Sequence, residues 1–114
     1  MDVRERLRRL SAPPRLSFIT RVELLNGVYR EPAFAAVRAV QLEHLLRQSD
    51  TLPIGDKTLK QYETIIAATG YSRRKVNDRL IAATALEHGL TLVTMNAADF
   101  RDVPGLVVED WGAS

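Results

Sequence analysis

VNDRLIAATALEHGLTLVTMNAADF, residues 76–100, sets a helix pattern directly before a strand pattern. Asn77 or Asp78 is a capping residue at the head of an apolar run that reaches His88, and Gly89 follows it. A capping side chain before the run and a glycine after it mark the two ends of a helix. LTLVT, residues 90–94, is apolar on both faces and reads as a strand of a covered parallel sheet. Asn96 and Asp99 come at once after it. Polar oxygen-bearing groups therefore flank a segment that otherwise reads as buried core.

The same alternation extends through the chain. Val3, Leu7 and Leu10 in VRERLRRL have helical spacing, and the segment from Ser11 to Pro14 ends that helix. RLSFIT, residues 15–20, is short and β-prone and predicts a strand. RVELLNGVYR, residues 21–30, predicts a helix, as does PAFAAVRAVQLEHLLRQ, residues 32–48, with proline in its first turn. TLPI, residues 51–54, predicts a strand, and residues 56–70 predict a helix capped by Asp56 and closed by Gly70. GLVVEDW, residues 105–111, predicts the last strand after the Pro104-Gly105 turn. Helices alternating with short apolar strands imply an α/β layered domain with a parallel sheet. Repeats, linkers and low-complexity segments are absent from the sequence.

With 114 residues the chain is long enough for one domain with a core. It is 46% hydrophobic and 26% charged, an ordinary balance for a soluble globular protein. The absence of cysteine excludes disulfides, thiolate zinc sites and cysteine nucleophiles, and fits a cytoplasmic location. No run approaches the ~20 apolar residues of a membrane span, and the charged N-terminus lacks the apolar segment of a secretory signal. A net charge of +2 says little about a nucleic-acid partner. Its distribution says more: the first thirty residues hold seven Arg against three acids, and Arg73-Arg74-Lys75 stands just before Asp78.

In an open parallel sheet, ligands bind beyond the carboxyl ends of the strands. Glu23 follows the 15–20 strand, Asn96 and Asp99 follow the 90–94 strand, and Asp78 heads the helix leading into the latter. Glu23, Asp78 and Asp99 are thus candidates for one acidic cluster. Two carboxylates ~6 Å apart repel by roughly 3 kcal/mol at an effective dielectric of about 20, which a cation would offset. Oxygen donors without cysteine, and with only two scattered histidines, favour Mg²⁺ or Mn²⁺ over zinc. Such a cation can activate water and stabilise charge on a phosphodiester. Singly, each acid also has a plain role: Asp78 as a helix cap, Glu23 as a solvated helix residue, Asp99 in a turn. His44 and His88 lie on helices without partners at metal spacing.

Three segments in order, LSFITRVELLNGVYR, VNDRLIAATALEHGLTLVTMNAADF and VPGLVVEDW, resemble the PIN-domain proteins, and specifically the VapC-type toxin ribonucleases of bacterial toxin–antitoxin pairs. The VRERLRRL helix also resembles what precedes the glutamate segment in that family. The resemblance implies a PIN-like three-layer α/β/α domain with a short, mostly parallel sheet. It also implies a Mg²⁺- or Mn²⁺-dependent endoribonuclease acting on structured RNA and restrained by a cognate antitoxin, commonly as a homodimer. Glu23 matches the family's second acid and Asp78 its third; the fourth falls on Asn96 or Asp99. Glu23 and Asp78 would hold the metal, Asn96 or Asp99 its water, and Arg21, Arg73, Arg74 and Lys75 would contact phosphates.

The family opens with an apolar strand ending in Asp, and no segment here matches it. Asp2 has no strand before it. The expectation is a single domain over residues 1–114 that begins after the first βα unit. Strands 15–20 and 90–94 would then pair directly or receive a strand from another chain. Without that Asp, Mg²⁺ binding is expected at millimolar order or weaker, with Mn²⁺ somewhat tighter and cleavage near background. The alternative function is a catalytically inactive module or remnant that pairs with an antitoxin or a homologue.

Overall fold

Ser17 ends one element and starts the next. Its Oγ accepts the Thr20 N–H at 3.0 Å, and the two hydroxyls are in hydrogen-bond contact at 2.9 Å. This cap starts a helix at Phe18, so the strand expected over 15–20 is only Leu16–Ser17. Phe18, Ile19 and Thr20 have strand propensity, but a capped helix start supplies local hydrogen bonds that a short strand would lack. The computed structural model describes residues 5–6, 9–10, 14–47 and 49–112. Of the helix expected over residues 3–10, Glu5 and Arg6 are helical. Val3, Leu7, and Ser11 to Pro13 of the segment ending that helix, lie outside the described residues.

The chain divides into two units, Met1–Pro53 and Ile54–Ser114. In the first, β1 (Leu16–Ser17) runs into α1 (Phe18–Tyr29). A 3₁₀ turn, Pro32–Phe34, and α2 (Ala35–Leu46) follow, so the helix expected from residue 32 starts with a tighter turn. β2 (Thr51–Leu52) pairs in parallel with β1, Leu16 opposite Thr51 and Ser17 opposite Leu52. The Leu16 N–H donates to Asp50 O at 2.9 Å at the ladder's entrance. Val28, Leu52 and Ser17 are buried. Phe18, Val22, Leu25 and Tyr29 of α1 are exposed; their spacing places them on one stripe of the helix.

The second unit contains α3 (Asp56–Thr69), a 3₁₀ turn at Arg73–Lys75, α4 (Val76–His88) and β3 (Leu92–Thr94). A 3₁₀ helix, Ala97–Phe100, and β4 (Val108–Asp110) complete it. Asp56 is the first helical residue of α3 rather than its cap; Gly55 is the cap, and its N–H donates to Thr58 Oγ1 at 3.1 Å. Neither Asn77 nor Asp78 caps α4, because the preceding 3₁₀ turn feeds the chain into the helix through Lys75. Gly89 does end α4, in the left-handed conformation with φ 62°. β3 and β4 are parallel, with Leu92 opposite Val108 and Thr94 opposite Asp110. The Trp111 N–H donates to Thr94 O at 2.9 Å and continues the ladder.

The core of this unit is Ile65 against Ala82, Ala83, Phe100 and Val103, with Tyr62, Leu86 and Leu92 packed around it. Alanines at 82, 83 and 85 take up little room on the buried side of α4, against which Ile65 of α3 packs. Thr58 is fully buried and donates its hydroxyl proton to Glu87 Oε1, which ties the start of α3 to the end of α4. Among the described residues the strands form two two-stranded parallel ladders, not the single sheet expected. Strand 15–20 does not pair with strand 90–94 among the described residues; each pairs within its own unit. The α/β character and parallel pairing are as the resemblance implied. Among the described residues no helix is long and apolar enough to cross a membrane.

Candidate functional site

The turn before α4 and the turn after β3 make one polar cleft in the second unit. Ser72, Arg74, Lys75, Asp78 and Asp99 line it. Asp78 is the third residue of α4, in its first turn. Asp99 arrives on the 3₁₀ helix Ala97–Phe100, which starts three residues after β3 ends. The side chain of Thr94, the last residue of β3, accepts the Asn96 N–H at 3.0 Å, and Asn96 O accepts the Asp99 N–H at 3.1 Å. Phe100, next to Asp99, is buried in the core and anchors the turn.

Asp78 is half-buried and Asp99 is exposed. Burial pushes the Asp78 carboxyl above the usual carboxylate range, and the charge of Asp99 pushes it further; Arg79 and Lys75 act in the opposite direction. The electrostatic effect of Asp99 on Asp78 ties the two carboxylates to one local field. The basic side chains of Arg74 and Lys75 lie on the same cleft. Asn96 is exposed and does not line it. Arg73 is exposed on the turn beside it.

Glu23 and Arg21 belong to the first unit. Glu23 is exposed on α1. Arg21 donates from Nη1 to Thr51 Oγ1 at 2.9 Å, joining α1 to β2, and its buried Nε has no partner among the described residues. It also lines an apolar cleft between α1 and α2 with Leu25, Val28, Leu42, Glu43 and Leu46. His44 is exposed; His88 is half-buried, 3.6 Å from Glu87. Among the described residues no group of three or more His, Cys, Asp or Glu side chains is arranged to hold a metal ion.

Reading the sequence missed one pair beside this cleft. Arg79, 3% exposed, donates from Nη1 and Nη2 to the two carboxylate oxygens of Asp102, both at 2.7 Å. The hydrogen bonds from Arg79 hold the Asp102 carboxyl below its usual range. Arg79 directly follows Asp78, and Asp102 stands three residues after Asp99. That matched placement behind the two acids was the available signal.

Two carboxylates on one cleft fit a hard divalent cation. Mg²⁺ is commonly held by one or two carboxylates while it keeps several waters. Asp78 and Asp99 are such a pair, and a cation would offset the repulsion that bears on Asp78.

Residues 1–106 match the family model described as PIN domain. The chain is 36% identical over 69 residues to Ribonuclease VapC1 of Rickettsia felis, a match over 59% of this chain and 52% of that protein. It therefore spans about half the length of that curated relative. Among solved structures it resembles the DNA-bound VapBC of Salmonella typhimurium, with a TM-score of 0.82 and 27% identity over 96% of this chain and 83% of that one. It also resembles VapBC-1 of nontypeable Haemophilus influenzae, with a TM-score of 0.76 and 26% identity over 96% and 84%. The chain belongs to the PIN domain family.

Proposed function

We propose that the protein is the toxin ribonuclease of a toxin–antitoxin pair, a divalent-metal-dependent endoribonuclease acting on structured RNA in the cytoplasm. The observation that carries this reading is the cleft that brings Asp78 and Asp99 together beside Arg74 and Lys75. Acids alone would repel an RNA backbone, and bases alone would bind it without chemistry. Together they give a cation seat beside a phosphate seat.

Asp78 and Asp99 would hold Mg²⁺ or Mn²⁺. When bound, the cation supplies positive charge next to the phosphodiester and makes water a better nucleophile. Arg74 and Lys75 neutralise and position the phosphate, a contact that does not read base sequence. Arg73 and Arg21 are proposed as further phosphate contacts. Glu23 is proposed for the metal chemistry on its sequence motif alone, and Asn96 as the alternative to Asp99 at the fourth acidic position. Arg79 and Lys75 favour the ionised form of Asp78 that a cation needs.

The antitoxin partner rests on the relatives, which are VapBC complexes, and on the exposed apolar stripe of α1. An uncovered stripe of this kind marks an interaction surface, for an antitoxin or for a second copy in a homodimer. The same stripe favours a second reading, a module that binds its partner and does not cleave RNA.

One assay separates the two. Cleavage of a structured RNA is followed with Mn²⁺, with Mg²⁺ and with chelator, for wild type, Asp78→Asn, Asp99→Asn and Glu23→Gln. Cleavage that needs the cation and is lost in Asp78→Asn and Asp99→Asn supports the enzyme. Cleavage that survives in both variants, or proceeds in chelator, refutes this site. Antitoxin binding with no cleavage at saturating Mn²⁺ supports the binding module.

A further inference from the structure

The Asp78–Asp99 pair has a mechanical problem. The two carboxylates sit on different elements, the first turn of α4 and the 3₁₀ helix after β3. Both line one cleft, so their spacing depends on what holds the two elements together. Phe100 and Val103 hold the 3₁₀ segment from its apolar side. On the polar side the Arg79–Asp102 pair joins α4 to the residues after Asp99 through two bonds of 2.7 Å. A planar guanidinium facing a carboxylate fixes orientation as well as distance.

The placement of this pair is informative. Arg79 adjoins Asp78, and Asp102 lies three residues beyond Asp99. A surface ion pair at this place would add little. Here Asp102 is exposed but Arg79 is among the most buried residues of the second unit, and a buried guanidinium is a costly way to stabilise a helix. Its Nε has no partner among the described residues, so the terminal nitrogens carry its hydrogen bonding. Simple packing would be served as well by an apolar side chain. The charged pair adds a directional tie between the two elements that carry the acids.

We infer that Arg79 and Asp102 are positioning residues for the cation site. Their two-bond clamp, buried at Arg79 and open to solvent at Asp102, fixes the segment carrying Asp99 against the helix carrying Asp78, and so sets the carboxylate spacing that a shared divalent cation reads. This inference rests on the metal-dependent reading above. Residues that orient a ligand from behind typically change metal affinity 10–100-fold when altered, and a loss in that range is expected here.

The test uses the full chain and two readouts that do not depend on cleavage: Mn²⁺ affinity by calorimetry, and amide hydrogen exchange over residues 97–103. Asp102→Asn breaks the charged clamp with little change of shape. Arg79→Met with Asp102→Asn removes the buried charge as well, and keeps the test open if the single variant folds poorly. Asp102→Glu restores the charge. The expected result is faster exchange over residues 97–103 and roughly 10-fold weaker Mn²⁺ binding in Asp102→Asn, with partial recovery of both in Asp102→Glu. In an Asp78→Asn background the further loss on breaking the clamp should shrink, because the carboxylate it positions is gone. Unchanged exchange in folded Asp102→Asn overturns the inference, whatever the metal does. Faster exchange with unchanged Mn²⁺ affinity also overturns it. Wild type that takes up no Mn²⁺ overturns the cation reading itself, and the inference with it; wild type that binds as tightly as Asp102→Asn overturns the clamp alone.

Discussion

Ile65→Ala is the sharpest test of how the second unit holds its site. Ile65 is 1% exposed and central to a cluster with Ala82, Ala83, Phe100 and Val103. The substitution removes three carbons, about 2.4 kcal/mol of transfer free energy at ~0.8 kcal/mol each. The cavity left behind adds to this. Two of the neighbours are alanines of α4, which have no side-chain torsion with which to fill a void, and Phe100 is held on the turn beside Asp99. Little collapse is open to the site, so the loss should fall in the upper half of the usual range, at about 4 kcal/mol. Ile65→Val removes one carbon and should cost about 1 kcal/mol. The measurement is urea unfolding followed by far-UV circular dichroism. With a slope of about 2 kcal/mol per molar urea, Ile65→Ala should lower the midpoint by about 2 M and leave the slope unchanged. A loss below about 2 kcal/mol would show that the alanine floor gives way, and the packing argument would fail.

Three further outcomes follow from other parts of the molecule. Gly89→Ala puts a side chain on a residue with φ +62° and no atoms within 4 Å of its new Cβ, so the cost is conformational alone and should be about 1 kcal/mol by thermal unfolding; no loss would mean the helix ends differently. Because the Asp78 carboxyl is raised in the folded state, the native protein binds more protons than the unfolded chain just above the ordinary carboxylate range, and wild-type stability falls as pH rises through that window. Asp78→Asn should therefore be more stable than wild type at neutral pH, with the gain vanishing in acid; a variant less stable at pH 7 would contradict the electrostatics. Arg74→Gln and Lys75→Gln should each weaken RNA binding and lower the slope of log affinity against log salt by about 1; unchanged slopes would remove both side chains from the phosphate path.

The segment from Val76 to Phe100 is legible in the sequence because its boundaries are chemical. Gly89 has to terminate α4, and an apolar strand between two polar turns has few alternatives. The same segment placed Asp78 and Asp99 at a shared cleft. Strand lengths are less legible. Phe18-Ile19-Thr20 carries strand propensity, yet Ser17 starts a helix there through one side-chain hydrogen bond, and β-propensity gives way to a local cap. The starts of α3 and α4 were misplaced for a related reason: Asp56 and Asp78 look like caps, but Gly55 and a 3₁₀ turn fill those places. The Arg79–Asp102 pair was hidden because an arginine beside an aspartate on a helix reads as solvated charge. Only the fold turns it inward, toward a partner 23 positions away.

The two ladders differ in the length of chain they enclose. β1 and β2 are separated by residues 18–50, β3 and β4 by residues 95–107. Loop-closure entropy grows as about (3/2)RT ln n, which makes the second ladder the less demanding to close by roughly 0.8 kcal/mol. A short tether of this kind works as a memory: when the end of β4 comes away from β3, its partner is still within easy diffusive reach. The turn that carries Asp99 and Asp102 lies inside that tether. The stretch of backbone on which the acidic cleft depends is thus the one whose strands find each other again with the smaller loss of chain freedom.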